Sequence, residues 1–237
     1  LFIMSPYIFE VFSLDHIISL IVIIFLFIIL LKYNEKIGIK DDNKTFLIVL
    51  SILMIFLDIS EDIIRVFTGY YSITKDLPLQ LCSIGVYLAA YNLIYRNQTI
   101  FNLIFYWGFV GATNAILTPD GDLFELRIFF FYSQGYHASL IFAVLWMMVK
   151  YEMRMEYKSI FQVVLYTNII VGMITIINFI LDSNYMFLRV IPNSISPFLM
   201  GQWPTYIVMV QVFSVVLVVL FISIQNYFMN PVRKPIT

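Results

Sequence analysis

Charge is scarce in this chain, and so is sulfur chemistry. Charged residues make up 12% of its 237 residues while hydrophobic residues make up 61%, with a mean hydropathy of +0.90. A water-soluble globule of that composition would have too little polar surface to stay dissolved, so the chain is read as an integral membrane protein. The 14 Lys and Arg against 15 Asp and Glu leave a net charge of −1 and no basic footprint for nucleic acid. One cysteine excludes an internal disulfide framework and any zinc site built on several thiolates. No nucleotide-binding loop and no H-E-x-x-H motif occurs, so neither a cofactor nor a metal is expected.

What the chain does have is long apolar runs. Crossing about 30 Å of hydrocarbon takes about 20 helical residues, and seven stretches qualify: 14–33, 45–67, 78–95, 100–117, 126–149, 160–181 and 204–228. The first has no basic start and no small-residue cleavage site before "LLKYNEKIGIK", which is not the pattern of a cleavable signal. The expected fold is therefore an all-α polytopic membrane bundle of about seven helices. No internal repeat, low-complexity linker or second domain interrupts it, so 1–237 is read as one transmembrane domain.

Basic residues are retained on the cytoplasmic side and so report orientation. Lys32, Lys36, Lys40, Lys44, Arg96, Lys150, Arg154, Lys158, Arg233 and Lys234 fall on one side, and only Lys75, Arg127 and Arg189 on the other, with Arg65 inside a span. This charge alternation predicts the N-terminus outside and the C-terminus inside. Under that topology the polar residues gather in the outer half, as a cavity opening outward would require.

Ionisable groups inside a span cost a few kcal/mol each and raise a functional question by default. Asp58, Glu61, Asp62 and Arg65 lie at i, i+3, i+4 and i+7, one face of the second helix. That face reads either as a ladder neutralised by Arg65 or as a wet site with carboxylates for a substrate or proton. His137, in "FFYSQGYHASLIF", lies about ten residues or 15 Å into the fifth helix, and His16, in "FSLDH", near the start of the first. A histidine in either place can be a hydrogen-bonded strut or a base. Asn114, Asn168 and Asn178 read as inter-helix glue. Gly108, Gly111, Ala112 and Ala115 have the spacing of a close-packing face, and Gly135 lets another helix approach near His137.

The lone thiol sits in "LPLQLCS", residues 77–83. Pro78 suits the first turn of a helix and Asp76 its cap. Cys82 then lies about one turn inside, where the helix dipole stabilises a thiolate and desolvation opposes it. A thiol nucleophile in that position requires a base, and histidine is the usual one. On composition alone the alternative is an inert buried cysteine.

The blocks "LPLQLCSIGVY", "NLIFYWGFVGATNAILTPDGDLF", "RIFFFYSQGYHASLIF", "NFILDSNYMFL" and "GQWPTY" resemble the YwaF-like integral membrane proteins of bacteria, which are similar to the animal transmembrane protein 164. The likeness runs from Phe12 to the last helix, and "NYMFL" is its most distinctive block. The resemblance implies a multi-pass protein of the bacterial cell membrane. It also implies an acyltransferase or transacylase that moves fatty acyl groups between lipids through a cysteine thioester and a histidine base. By the matching blocks these are Cys82 and His137. A more distant likeness is to membrane hydrolases of fatty-acid esters that use a threonine and a histidine. Relatives commonly read "LPLHLC", with histidine where this chain has Gln80, and an amide can hold a carbonyl oxygen but is no base.

The expected site is thus catalytic Cys82 and His137, with Gln80, His16, Asp58, Glu61, Asp62, Arg65, Asn114, Asn184 and Tyr185 around the substrate. The expected partner is a membrane phospholipid or other acyl lipid of the surrounding bilayer. A small-molecule transporter or receptor using the Asp58–Arg65 face, and a catalytically silent relative, are the rival readings.

Overall fold

The computed structural model describes residues 4–33, 43–197 and 199–229. Lys36, Lys40, Arg233 and Lys234, four of the residues behind the orientation reading, lie outside these. Among the described residues the protein is all-helical, with one isolated bridge, Pro6 to Leu126.

Helix α1 spans Leu14–Lys32, with Asp15 in its first turn and Lys32 in its last, each charge at the favourable end of the helix dipole. Helix α2, Lys44–Thr68, begins where the Asn43 side chain accepts from the Phe46 N–H and ends at Gly69, whose φ of 76° is the left-handed conformation that glycine adopts freely. Helix α3, Leu81–Tyr95, turns into α4, Gln98–Tyr106, through Arg96 and Asn97. Asn97 caps α4 through Ile100 N–H, and its own N–H donates to the Asn92 side chain at 2.6 Å, which makes the two helices an antiparallel hairpin. A π-helical turn, Trp107–Ala112, and the short α5, Thr113–Leu117, continue α4 as one rod. Helices α6 (Arg127–Tyr151), α7 (Ile160–Leu181) and α8 (Thr205–Phe228) follow.

These rods coincide with the seven apolar stretches to within a few residues, except at the start of the third. Pro78 does not open α3. The helix begins at Leu81, because the Leu77 N–H is committed to the Tyr185 hydroxyl at 3.0 Å and a residue before proline is kept out of the α region. Asp76 does not cap it either; its carboxylate accepts from the Ser72 N–H at 2.7 Å. Five rods, Leu14–Lys32, Gln98–Leu117, Arg127–Tyr151, Tyr157–Leu181 and Thr205–Phe228, are long and apolar enough to cross a membrane. The other two differ for physical reasons. Helix α2 carries the Asp58–Arg65 charges, and the 15 residues of α3 reach only about 22 Å.

The Gln98–Leu117 rod and α6 form the centre: Phe101, Ile104, Phe105, Leu140, Val144 and Trp146 are fully buried. Gly85 lets α3 approach α6, since a Cβ there would stand 3.1 Å from Leu140 Cδ2. Ser51 Oγ donates to the Ala90 carbonyl and joins α2 to α3. Helices α1, α7 and α8 are peripheral and turn isoleucine, leucine, valine and phenylalanine outward; Ile21, Phe161 and Ile180 are 61–77% exposed. A soluble monomer rarely shows an apolar surface of that extent, whereas a bilayer covers it. Residues 5–9 lie against a cluster of Phe124, Leu126, Phe129 and Phe130, held by Tyr7 N–H to Glu125 O and Arg127 N–H to Ser5 O.

Candidate functional site

The start of α3, the π-turn, α5, α6, α7, α8, residues 186–196 and Leu199 enclose a cavity of 380 Å³ with a mostly apolar lining. Cys82 and His137 both line it. Cys82 is the second residue of α3, closer to the helix N-terminus than a start at Pro78 would have put it. Gly111 faces the thiol; a Cβ there would stand 3.5 Å from Sγ, so the glycine leaves that wall to the sulfur.

His137 is buried on α6, and its Nδ1 lies 2.7 Å from the Ser133 carbonyl oxygen one turn earlier. A carbonyl only accepts, so Nδ1 carries the proton and Nε2 presents a lone pair. Among the described residues Nε2 makes no hydrogen bond, and none joins the imidazole to the Cys82 sulfur. The Tyr136 ring lies beside the imidazole at 4.0 Å between centroids and also lines the cavity.

Gln80 is at the cavity edge and ties it to the loop after α7: its Oε1 accepts from the Met186 N–H at 2.8 Å. Asn114 is in the wall, with Oδ1 accepting from Thr118 Oγ1 and from Ser196 Oγ, so it fastens the 182–204 segment to the end of α5. Asn184 and Tyr185 are outside the lining. Asn184 Oδ1 accepts from the Arg189 and Val190 N–H groups, both at 2.9 Å. Tyr185, 1% exposed, donates its hydroxyl to the Ile73 carbonyl at 2.7 Å while accepting from Leu77. Asn178 Oδ1 accepts from Tyr185 N–H and Ser183 Oγ. These bonds hold Met186 and Phe187 at φ of 56° and 52°, conformations that cost a side-chain-bearing residue about 1–3 kcal/mol unless its surroundings impose them. The "NYMFL" block is therefore a braced loop that brings Met186, Phe187 and Leu188 over the cavity.

His16 also lies outside the lining. Its Nε2 donates to the Ile116 carbonyl at 2.8 Å and its Nδ1 accepts from the Phe12 N–H at 3.1 Å, so both ring nitrogens are engaged. None of Asp58, Glu61, Asp62 and Arg65 reaches the cavity either. Arg65 is buried against Glu61 (3.0 Å) and Glu125 (2.9 Å), with Asp76 at 3.6 Å, the Leu123 carbonyl at 2.9 Å and the Phe129 ring 4.0 Å below its guanidinium. One Asp58 oxygen, Oδ2, is buried with no hydrogen-bond partner among the described residues.

Outside the helices, burial pushes the Asp120 carboxyl at the cavity rim above the usual carboxylate range, and the neighbouring Asp122 charge adds to this while its N–H bond opposes it. Burial likewise raises the Tyr185 hydroxyl, and burial with Asp15 raises that of Tyr7 to about 12. Among the described residues no group of three metal-ligating side chains forms.

The π-turn was not foreseen. It carries Trp107, Val110 and Gly111 to the cavity wall, and Trp107 Nε1 donates to Thr167 Oγ1 on α7 at 3.1 Å. Such turns recur at functional sites, and the available signal was the pair of glycines, 108 and 111, inside a helical run.

Neither the curated proteins nor the solved structures include a match to this chain. A family model described as the TMEM164 family matches residues 11–222, and by that match, covering most of its length, the chain belongs to the TMEM164 family.

Proposed function

We propose that this membrane protein is a lipid acyltransferase or transacylase that works through a Cys82 thioester with His137 as general base. The observation that carries the reading is the shared cavity: the chain's one thiol and an imidazole with a free Nε2 line the same apolar chamber. Thiol and imidazole are not hydrogen-bonded to each other, and catalytic contacts of this kind commonly tighten only around a bound substrate.

In the first half-reaction Nε2 takes the Sγ proton, the sulfur attacks the ester carbonyl carbon, and a C–S bond replaces the C–O bond. The departing lipid alkoxide takes the proton from the imidazolium. In the second half an acceptor hydroxyl gives its proton to Nε2 and attacks the thioester, and the sulfur leaves and recovers that proton. Water as acceptor gives hydrolysis instead. Gln80 has spent its oxygen on Met186, so its amide N–H₂ is the group left to hold the carbonyl oxygen of the substrate. The lining contains no lysine or arginine. A free carboxylate would enter unpaired at a cost of several kcal/mol, which favours a donor whose chain arrives esterified. With the expected orientation, N-terminus outside, this reading assigns the chemistry to the outer leaflet, and the resemblance to the YwaF-like proteins supports a bacterial cell membrane.

The test is to incubate purified protein with vesicles of acyl-labelled phospholipid and to read the intact mass. A hydroxylamine-sensitive mass shift on Cys82, lost in Cys82→Ala and slowed about 10²–10⁴-fold in His137→Ala, is the expected result. An unmodified thiol together with turnover unchanged in Cys82→Ala ends the proposal.

A further inference from the structure

We propose that the cavity has a lateral entrance between α7 and α8, and that its occupant is one acyl chain of a bilayer phospholipid, admitted sideways from the hydrocarbon. This inference rests on reading the cavity as an acyl-lipid site, but not on the thioester step.

Among the described residues, the hydrogen bonds that tie the segments flanking α7 to α8 and its approach lie near the helix ends. At one end the Tyr157 and Ser223 hydroxyls meet at 2.8 Å, and Gln225 exchanges two hydrogen bonds with the backbone of Met155, at 3.1 Å and 3.0 Å. At the other, Trp203 Nε1 donates to the Leu188 carbonyl at 2.9 Å and the Tyr206 hydroxyl donates to that of Phe187. In between, each helix leans on the central rod: α7 through Thr167 and Trp107, α8 through Phe221 stacked on Phe109 at 5.1 Å. The result is a slit closed at top and bottom.

The slit opens into the cavity. Thr167 and Val171 on α7 and Val210 and Leu217 on α8 line the chamber and are only half-buried. Their outward neighbours Ile169, Met173 and Val212 are exposed and face the region that lipid fills. A chain passing between these edges meets mostly apolar side chains, with Thr167, Asn168 and Gln211 the polar groups beside its path. The loop-side route passes Asp120, Ser194 and Ser196, which suits a headgroup but not a hydrocarbon tail. A lipid that stays in the membrane with its headgroup near Asn114 can thus direct its tail toward Trp107 and Val110.

The experiment uses the full chain in vesicles of phosphatidylcholine doped with an analogue carrying a diazirine on the acyl chain. After illumination, adducts are mapped by proteolysis and mass spectrometry. Adducts on the segment 106–110, behind the slit, are expected in the wild type. They should be lost in Val210→Phe and in Val171→Phe, which narrow the slit from opposite edges, and kept in Val212→Phe, which adds the same bulk on the outward face. An unchanged melting temperature shows that each variant is folded. Adducts confined to outward residues such as Ile169 and Met173, or adducts on 106–110 equal in both narrowing variants and the wild type, overturn the entrance. Labelled 106–110 without Cys82 acylation removes the thioester chemistry and supports the entrance. Cys82 acylation with labelling insensitive to both narrowing variants removes the entrance and supports the chemistry.

Discussion

Replacing Arg65 with methionine tests whether the charged end of α2 is architecture or a solvated path. The guanidinium is 6% exposed, makes hydrogen bonds to Glu61, Glu125 and the Leu123 carbonyl, and faces Asp76 at 3.6 Å. Methionine has comparable length and keeps the contact with Phe129, but leaves three carboxylates facing one another without their buried cation, with the exposed Lys75, 4.0 Å from Glu125, still beside them. Breaking a buried ion pair from one side costs about 3–5 kcal/mol, mostly the cost of the charge left behind. For a chain of this size that is a fall in melting temperature of roughly 6–20 °C. Arg65→Lys keeps the charge and loses the fork; two hydrogen bonds lost at about 1 kcal/mol each give an intermediate loss of roughly 2 kcal/mol. Neutralising the acids in the methionine background (Glu61→Gln, Asp76→Asn, Glu125→Gln) should restore most of the stability, because the stranded charges are then gone. The assay is thermal unfolding in detergent at fixed salt. If Arg65→Met melts like the wild type, or if the neutralised variant melts no higher than the single one, the ion cluster is not holding these loops and the reasoning fails.

Gln80→Leu strands the Met186 N–H at a cost of about 1–3 kcal/mol, and limited proteolysis should cut faster within residues 184–190; Gln80→His keeps an acceptor and should leave protection intact. Asp120→Asn should raise the melting temperature near neutral pH. A carboxyl with a raised folded value contributes stability that is complete below its unfolded value of 3.8 and is lost as pH rises through the folded value, so the gain from asparagine should vanish below about pH 3.8. Gly85→Ala puts a methyl 3.1 Å from Leu140 and should destabilise by about 1–3 kcal/mol. Gly172→Ala, on α7 with nothing within 4 Å of its Cβ, should stabilise by about 0.5–1 kcal/mol.

The helices were legible because apolar run length is a direct record of what a bilayer demands of a segment, and the rods from α4 to α8 follow it closely. The start of α3 was not. Proline and a nearby acid gave a local signal for a helix at Pro78, and a bond to Tyr185, over 100 residues away, overrode it. The Asp58–Arg65 face was legible as a face, since spacing alone puts those residues together. Its resolution was not, because the second and third acids on Arg65 come from loops, Asp76 and Glu125, whose approach no spacing on α2 reveals. The π-turn left only the faint signal of Gly108 and Gly111, because its bond from Trp107 to Thr167 reaches another helix and the period of the run hardly changes.

The polar residues of this bundle divide by what they bond to. His16, Gln80, Asn184, Tyr185 and Arg65 bond to backbone, and the groups they hold belong to the chain ends and loops around the cavity: Phe12, Met186, Val190, Ile73 and Leu123. The atoms used in this way are engaged within the chain itself, although Gln80, at the cavity edge, spends only its oxygen and keeps its amide N–H₂. Among the described residues Cys82 has no such partner, and His137 uses only one of its two nitrogens, fixing its tautomer and leaving the other open to the chamber. A transport path would need the reverse, with the charged α2 face open and the cavity wall occupied. Its acids are instead spent on Arg65 or stand outside the chamber's lining, and the Cys82 sulfur and His137 Nε2 lie in a mostly apolar space. Under the proposed acyl chemistry that division favours lipid as the substrate, because a molecule that is itself mostly hydrocarbon can bring an electrophilic carbonyl to that sulfur without carrying a charge past the wall.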